Sequence, residues 1–337
     1  MILTGENPES IADALQALAS GQLVGLPTET VYGLAADACN DAAVAKIFSR
    51  KGRPANHPLI VHVASASGVT QFARDVPEFA QRLMDAFWPG PLTLILPRQP
   101  GVAAATAGGQ DSIGLRCPSH PVAQALLKAC AQAGMAGLAA PSANRFGRIS
   151  PTTAAHVEEE LGTDLLVLDG GPCSVGIEST IIDCTRGCPV LLRPGVLSTA
   201  QLEAACGCAV LPDEPLESGH TAPRASGTLE SHYAPRAKLR LMDAQALRTA
   251  LQVLLSSKPA AAGAPAVALY SRVALPNALP AVTQRRMPMD AAATAQELFA
   301  VLRELDATGV ALIWVETPPA SPEWDGVRDR LQRASAS

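Results

Sequence analysis

The stretch Leu26–Val63, LPTETVYGLAADACNDAAVAKIFSRKGRPANHPLIVHV, decides how the rest of the chain is read. Pro27 closes a short apolar run, Leu23–Leu26, that reads as a buried strand. Thr28–Gly33 follows as a hydroxyl-rich turn. Asn40 or Asp41 caps a helix whose Val44, Ile47 and Phe48 form one apolar stripe. Arg50 and Lys51 fall in its last turn, where cations oppose the negative helix end. Gly52 suits a left-handed cap and Pro54 prevents continuation. Pro58–Val63 reads as a strand, with Leu59, Val61 and Val63 on one face and Ile60 and His62 on the other. The expected order is strand, turn, helix, basic loop, strand, which turns hydroxyls, cations and histidines towards one pocket.

The chain has 337 residues, enough for two domains. Apolar residues make up 48% and aromatic ones 4%, so a core of small aliphatic side chains is expected. The net charge of −5 argues against a general nucleic-acid or membrane-surface binder, which carries a basic excess. A local basic group, Arg50, Lys51 and Arg53, in an acidic chain suits a small anionic ligand instead. No apolar run reaches the ~18 residues of a membrane span, and Met1–Pro8 lacks the basic-then-apolar pattern of a secretion signal. A cytoplasmic protein with no membrane association is the expectation. Of the 8 cysteines, Cys184 and Cys188 form one near pair and Cys206 and Cys208 another. Neither has zinc-ribbon spacing, so no metal site is assigned and reduced thiols are expected.

Outward from the opening stretch, Ser10–Ser20 reads as a helix capped by Ser10, and Pro77–Phe87 and Pro121–Ala133 as further helices. Leu92–Leu96, Leu165–Leu168, Ile177–Asp183 and Val190–Arg193 read as strands. Ser112–Arg116 is a strand that aligns Ser112, Gly114 and Arg116 on one face, where the glycine admits a ligand closely. Ser150 caps another helix, with Pro151 in its first position. Helices and strands intermix without strict alternation, so an α/β domain with a twisted mixed sheet is expected. Pro212–Pro235 is polar and rich in Gly and Pro, as a linker is. Beyond it, Lys238–Met242, Ala244–Leu255, Val267–Tyr270, Ala291–Leu305, Val310–Val315 and Trp324–Arg333 alternate as strand and helix, the pattern of a small doubly wound, Rossmann-like α/β domain. Ala260–Ala266 reads as a loop within it. The expected boundaries are 1–207, a linker at 208–237, and 238–337.

Cations on a constrained loop bind phosphates, and arginine does so bidentately. Ser142 and Asn144 flank Ala143 in a turn, and Ser179 sits between Glu178 and Thr180. His120, His156 and His220 lack supporting neighbours and read as surface residues. No GxSxG turn and no cysteine–histidine pairing is evident, which disfavours a covalent hydrolase. Hydroxyls and amides with several cations suit catalysis by positioning and charge stabilisation, as in phosphoryl and nucleotidyl transfer. The residues by themselves lead to an α/β protein that binds a small phosphorylated ligand.

Seven motifs go further: PTETVYGLAADA, KGRP with HPLIVHV, WPGPLT, SIGLRCP, PSANRFGRISPT, GIESTIIDCT and LLRPG. In this order, across roughly Leu3–Ala205, they resemble the YrdC-like threonylcarbamoyl-AMP synthases. The HYAP segment and the extra α/β unit resemble the two-domain form. The resemblance implies a nucleotidyltransferase that converts L-threonine, bicarbonate and ATP into L-threonylcarbamoyladenylate and pyrophosphate. That product serves N6-threonylcarbamoyladenosine formation at position 37 of tRNAs reading ANN codons, through a downstream tRNA threonylcarbamoyl-transferase complex. It implies Mg2+ with ATP and no organic cofactor. Carried over by position, Thr30, His62, Arg116, Ala140 and Ser179 would hold threonine. Lys51, Arg53, His57, Ser112, Ser142, Asn144, Ser150, Arg193 and Tyr233 would contact ATP, with Lys51 and Arg53 stabilising charge in the reaction. The family commonly has Asn where this chain has His57, and an imidazole replaces only part of an amide's donor–acceptor pair. The linker, through Tyr233, would close over the site. Two other readings remain open. One is a tRNA-binding groove lined by Arg50, Lys51, Arg53, Arg145 and Arg148. The other is a carbamoyl-transfer domain acting on carbamoyl phosphate, against which the absence of acylphosphatase-like and zinc-finger segments counts.

Overall fold

A computed structural model describes residues 1–213, 223–227, 232–256, 267–272 and 282–336. The Ala260–Ala266 loop, His220 and parts of the linker lie outside the described residues. The chain forms two compact units, Met1–Phe146 with Ser150–Thr228, and Gly147–Ile149 with Leu229–Ser337.

In the first unit the strands are β1 (Ile2–Thr4), β2 (Val24–Leu26), β3 (Gly33–Asp37), β4 (Ile60–His62), β5 (Leu92–Pro97), β6 (Ser112–Arg116), β7 (Leu138–Ala139), β8 (Leu166–Asp169), β9 (Thr180–Asp183), β10 (Val190–Arg193) and β11 (Leu211–Pro212). The helices are α1 (Pro8–Ala19), α2 (Asp41–Lys51), α3 (Glu78–Phe87), α4 (Pro121–Gln132), α5 (Ala154–Leu161) and α6 (Thr199–Cys206). The strands form one mixed sheet in the order β1-β8-β2-β3-β7-β4-β6-β5-β9-β10-β11. Helices cover both faces. Ala14 and Leu18 of α1 and Val122 and Leu126 of α4 join one core with Leu26 and Leu168. Val44 and Ile47 of α2, Leu83 of α3, Val157 of α5 and Leu202 of α6 join the other with Leu34 and Val61.

The opening stretch folds with one element more than its sequence suggests. Gly33–Asp37 is a central strand, not part of the turn. Leu34, Ala35 and Ala36 are fully buried because both sheet faces are covered, so the strand has no polar alternation to betray it. The helix after it obeys its end signals. Asn40 Oδ1 accepts from Ala43 N at 3.1 Å, and Gly52, at φ 63°, sends its N–H back to Phe48 and Ser49. Two other caps move. Helix α1 starts on Asn7 followed by Pro8, and Ser10 is buried inside it. Ser150 does not cap α5: the helix begins at Ala154 and its cap is Thr153, whose side chain accepts from His156 N. Strand β9 begins at Thr180, so Glu178 and Ser179 precede it.

The second unit has β12 (Lys238–Met242), α7 (Ala244–Ser256), β13 (Val267–Ser271), β14 (Val282–Arg286), α8 (Ala291–Ala307), β15 (Leu312–Glu316) and α9 (Asp325–Ser335). Its sheet, β12-β15-β13-β14, is parallel throughout. Leu269 packs towards Leu247 and Leu251 of α7. Tyr270, next along β13, points the other way and donates to Glu297 of α8 at 2.9 Å. Val282–Arg286 escapes sequence reading because it is a polar edge strand, VTQRR, with an exposed end. Gly147–Ile149 joins this unit through Ala234 N to Gly147 O, 2.8 Å, and Arg148 to Asp306, 3.4 Å.

Candidate active site

Parallel pairing of β4 with β6 sets His62 opposite Arg116. Both are buried. Arg116 Nη1 donates to Thr30 Oγ1 at 2.7 Å, its Nη2 lies 2.7 Å from Glu29 Oε1, and Nε reaches Gly90 O at 3.3 Å. Thr30 Oγ1 is also 2.9 Å from Thr28 Oγ1, so the turn before β3 is tied together by hydroxyls. Glu29 Oε2 accepts from Ser119 N at 3.1 Å. Ala140 gives its N–H to Ile60 O at 3.0 Å, which fixes its backbone beside β4. A guanidinium fixed in this way can take a second, small carboxylate bidentately.

Two further groups lie on α2, the basic loop and the ends of β9 and β10. Lys51 is 3% exposed, not a solvated helix end. Its Nζ donates to the carbonyls of Ser142 and Asn144, each at 2.5 Å. Arg193 donates to Ser179 O from Nε at 3.1 Å and Nη2 at 2.9 Å, and Ser179 Oγ pairs with Thr93 Oγ1 at 2.7 Å. Arg53 and Arg193 meet at Ser226. Arg53 Nη2 donates to its Oγ at 3.1 Å, and Arg193 Nη1 to its carbonyl at 2.8 Å. The guanidinium of Arg53 also lies 5.7 Å from the Phe146 ring centre, and His57 stands edge-on to the same ring at 5.4 Å. Ser150 donates to Glu178. Ser112 lines a pocket with Thr93, Gly114, Arg224 and Ser226.

Gly195 belongs to this geometry. A Cβ there would lie 2.5 Å from Thr180 N and 2.6 Å from Thr180 Oγ1, so only glycine lets the two segments touch. Gly195→Ala is expected to cost ~1–3 kcal/mol through forced backbone shifts, read as a lower urea midpoint with unchanged slope. An unchanged midpoint would contradict this packing.

Burial depresses the two central bases. Lys51 is held well below the ordinary lysine value by desolvation first and the Arg53 cation second, against Glu160 and Glu178. His62 is lowered from 6.5 to about 3 by burial and then by Arg116. It is a neutral imidazole at physiological pH, and its Nδ1 has no hydrogen-bond partner among the described residues. An unfolded chain binds a proton at His62 near pH 6.5, whereas the folded chain resists until about 3. Stability therefore falls as pH drops through that window, by up to about 1.4 kcal/mol per pH unit. His62→Gln is expected to flatten that slope in urea titrations, and parallel slopes for the two chains would contradict it.

The fold thus gathers Thr30, His62 and Arg116 in one group, and Arg53, Ser179 and Arg193 in another. Lys51, Ser142 and Asn144 form a third, and Ser150 is joined to Glu178. Tyr233 belongs to the second unit, at φ 62°, with its ring 5.4 Å from that of Phe299 and 5.4 Å from the Arg330 guanidinium. The remaining basic residues are engaged elsewhere: Arg50 pairs with Asp164 at 2.6 Å, and Arg145 donates to Glu160 O at 3.3 Å. His120 and His156 are half-buried rather than surface residues. His120 caps α4, and His156 Nδ1 accepts from Thr152 N. Sequence reading missed Glu29, Thr93, Phe146 and Ser226. Glu29, a carboxylate between two threonines in a turn that joins two apolar segments, carried a signal; Ser226 carried none.

Comparison with known proteins agrees along the whole chain. The family model Sua5_yciO_yrdC, described as "Telomere recombination", matches residues 16–195. A second, "Threonylcarbamoyl-AMP synthase, C-terminal domain", matches 197–336. The chain is 43% identical over 239 residues to threonylcarbamoyl-AMP synthase of Bacillus subtilis, covering 70% of this chain and 68% of that one. It is 37% identical over 325 residues to the Pyrococcus abyssi enzyme of that name, covering 94% and 91%. The crystal structure of P. abyssi Sua5 complexed with L-threonine matches at a TM-score of 0.85 and 34% identity, covering 99% of this chain and 97% of that chain. The chain belongs to the Sua5–YciO–YrdC family, with the C-terminal domain of threonylcarbamoyl-AMP synthases following the family domain.

Proposed function

We propose that this chain is a threonylcarbamoyl-AMP synthase, joining L-threonine, bicarbonate and ATP into L-threonylcarbamoyladenylate with release of pyrophosphate and water. The observation that carries this reading is the match along 94% of the chain to a relative of that name. The L-threonine bound in the P. abyssi neighbour supports threonine as a substrate. The reaction class is nucleotidyl transfer, and the product feeds the tRNA threonylcarbamoyl-transferase step.

Arg116 takes the threonine carboxylate, an anion its fixed guanidinium suits. Thr30, Ser179, the neutral His62 and the Ala140 backbone surround the rest of the amino acid. Its amine and bicarbonate give a carbamate, with loss of water. A carbamate oxygen then attacks the α-phosphorus of ATP, the P–O bond to the β-phosphate breaks, and pyrophosphate leaves. Lys51, Arg53 and Arg193 face the charge that develops. Ser112, Ser142, Asn144, Ser150 and His57 hold the nucleotide. No group of three or more His, Cys, Asp or Glu side chains suited to a metal is found among the described residues. A Mg2+ bound to ATP would neutralise triphosphate charge, beside Lys51, Arg53 and Arg193. Ser226 uses donors of Arg53 and Arg193 that phosphate oxygens would take, so ATP would displace Ser226 from both guanidiniums.

With 13C-bicarbonate, the expected product is a threonylcarbamoyl-AMP labelled in its carbamoyl carbon, seen by mass spectrometry. AMP formed without a threonine-containing adduct would overturn the reading.

A further inference from the structure

All eight cysteines are free thiols, and two of them stand apart from the rest. Cys206 ends α6, Gly207 follows in the left-handed conformation at φ 76°, and Cys208 comes next. This turn folds the second thiol back on the first, leaving the sulfurs 3.6 Å apart. The surroundings divide the pair. Cys206 is 1% exposed, its sulfur directed at the Cys208 carbonyl at 3.2 Å, whereas Cys208 is exposed. Arg82, from α3, lies over the turn. Its Nη1 donates to Cys206 O at 3.1 Å, and a Cβ on Gly207 would come 2.9 Å from it. The same guanidinium pairs with Glu78.

We propose that Cys206 and Cys208 are a dithiol redox site that closes to an intramolecular disulfide by exchange with a small-molecule disulfide such as oxidised glutathione. The exposed Cys208 is the attacking thiol, and the buried Cys206 is the resolving one. The Cys208 thiolate attacks one glutathione sulfur, the glutathione S–S bond breaks, and one glutathione leaves as thiolate. The Cys206 thiolate then attacks the Cys208 sulfur of the mixed disulfide and displaces the second glutathione. Two cysteine thiols are oxidised, one disulfide is reduced to two thiols, and the two cysteine protons pass to the departing glutathiones. Closure needs the sulfurs to move from 3.6 Å to a bond of about 2.05 Å. The positive φ of Gly207 permits the small ring, since a residue with a Cβ is strained there. Desolvation and the neighbouring Cys206 thiol raise the Cys208 thiol above its ordinary value, against a smaller opposing pull from the Arg82 cation, so the first step needs mildly alkaline pH. Cys184 and Cys188 are poorer partners: their sulfurs are directed at Ile182 O and Arg186 O, whereas the Cys208 sulfur is directed at that of Cys206.

The test uses the full chain, reduced, freed of reductant and incubated with oxidised glutathione at mildly alkaline pH. Alkylation and peptide mass mapping then read the thiols. Expected is the loss of two alkylatable thiols, at Cys206 and Cys208, linked to each other and restored by dithiothreitol. Cys206→Ala is expected to stop at a glutathione adduct on Cys208, and Arg82→Leu to slow the first step. The proposal is overturned if wild-type protein accumulates a stable Cys208 adduct, if Cys208 is bridged to Cys184 or Cys188, or if both thiols stay alkylatable. The wild-type map decides even where the alanine variant fails to fold.

Discussion

Arg116→Ala is expected to lower kcat/KM for threonine by roughly 30- to 4,000-fold, mostly as a higher KM for threonine. Truncating one side of a buried, hydrogen-bonded charge pair costs ~2–5 kcal/mol, and each 1.4 kcal/mol is tenfold. The same change strands Glu29, which lies 2.7 Å from the guanidinium with its side chain 6% exposed. A buried carboxylate that loses its cation costs ~3–5 kcal/mol of stability, so Arg116→Ala is best read beside two companions. Arg116→Lys keeps the charge but not the fork and should recover folding more than threonine affinity. Glu29→Gln with Arg116→Ala removes the stranded charge and should recover stability alone. Steady-state kinetics with threonine varied, together with urea unfolding, separates the two effects. Unchanged kcat/KM in a folded Arg116→Ala chain would remove Arg116 from the threonine site.

Lys51→Met is expected to lower kcat by ~100- to 1,000-fold, the usual effect of deleting one preorganised donor at a centre of developing charge. Lys51 has two tasks. Its Nζ ties the Ser142 and Asn144 carbonyls, and its charge would face the triphosphate. Lys51→Arg tests which dominates: a planar fork cannot sit between two carbonyls each 2.5 Å from one nitrogen, so charge without that fit should recover little. Full activity in the arginine variant would show that charge alone suffices. Full activity in the methionine variant would take Lys51 out of the reaction.

Much of the fold is legible in the sequence, and the physical reason differs by element. Helix α2 announces its own ends, because Asn40 and Gly52 act locally on neighbouring backbone groups. The strand that follows the Thr28–Val31 turn did not announce itself: Gly33–Asp37 is alanine-rich and buried on both faces, so its strand character comes from the neighbours it pairs with. Ser150 illustrates a local signal overruled. Ser-Pro invites a helix start, but a buried Glu178 claims the hydroxyl and Thr153 caps instead. Lys51 sits where a solvated cation belongs, yet the Ser142–Asn144 turn closes over it. The pairings that build the site, Glu29 with Arg116 and Ser226 with Arg53 and Arg193, join residues far apart in sequence. No local pattern encodes such pairs, which is why ordered motifs carried the functional reading further than composition or periodicity.

In the proposed reaction, one site couples an amino acid and bicarbonate to cleavage of ATP between its α- and β-phosphates. Pyrophosphate release from ATP tests it most directly, measured with and without threonine and bicarbonate. The expected result is release that needs both and saturates with threonine, while Arg116→Ala shifts only the threonine dependence. Release that proceeds equally without threonine, or phosphate in place of pyrophosphate, would contradict it.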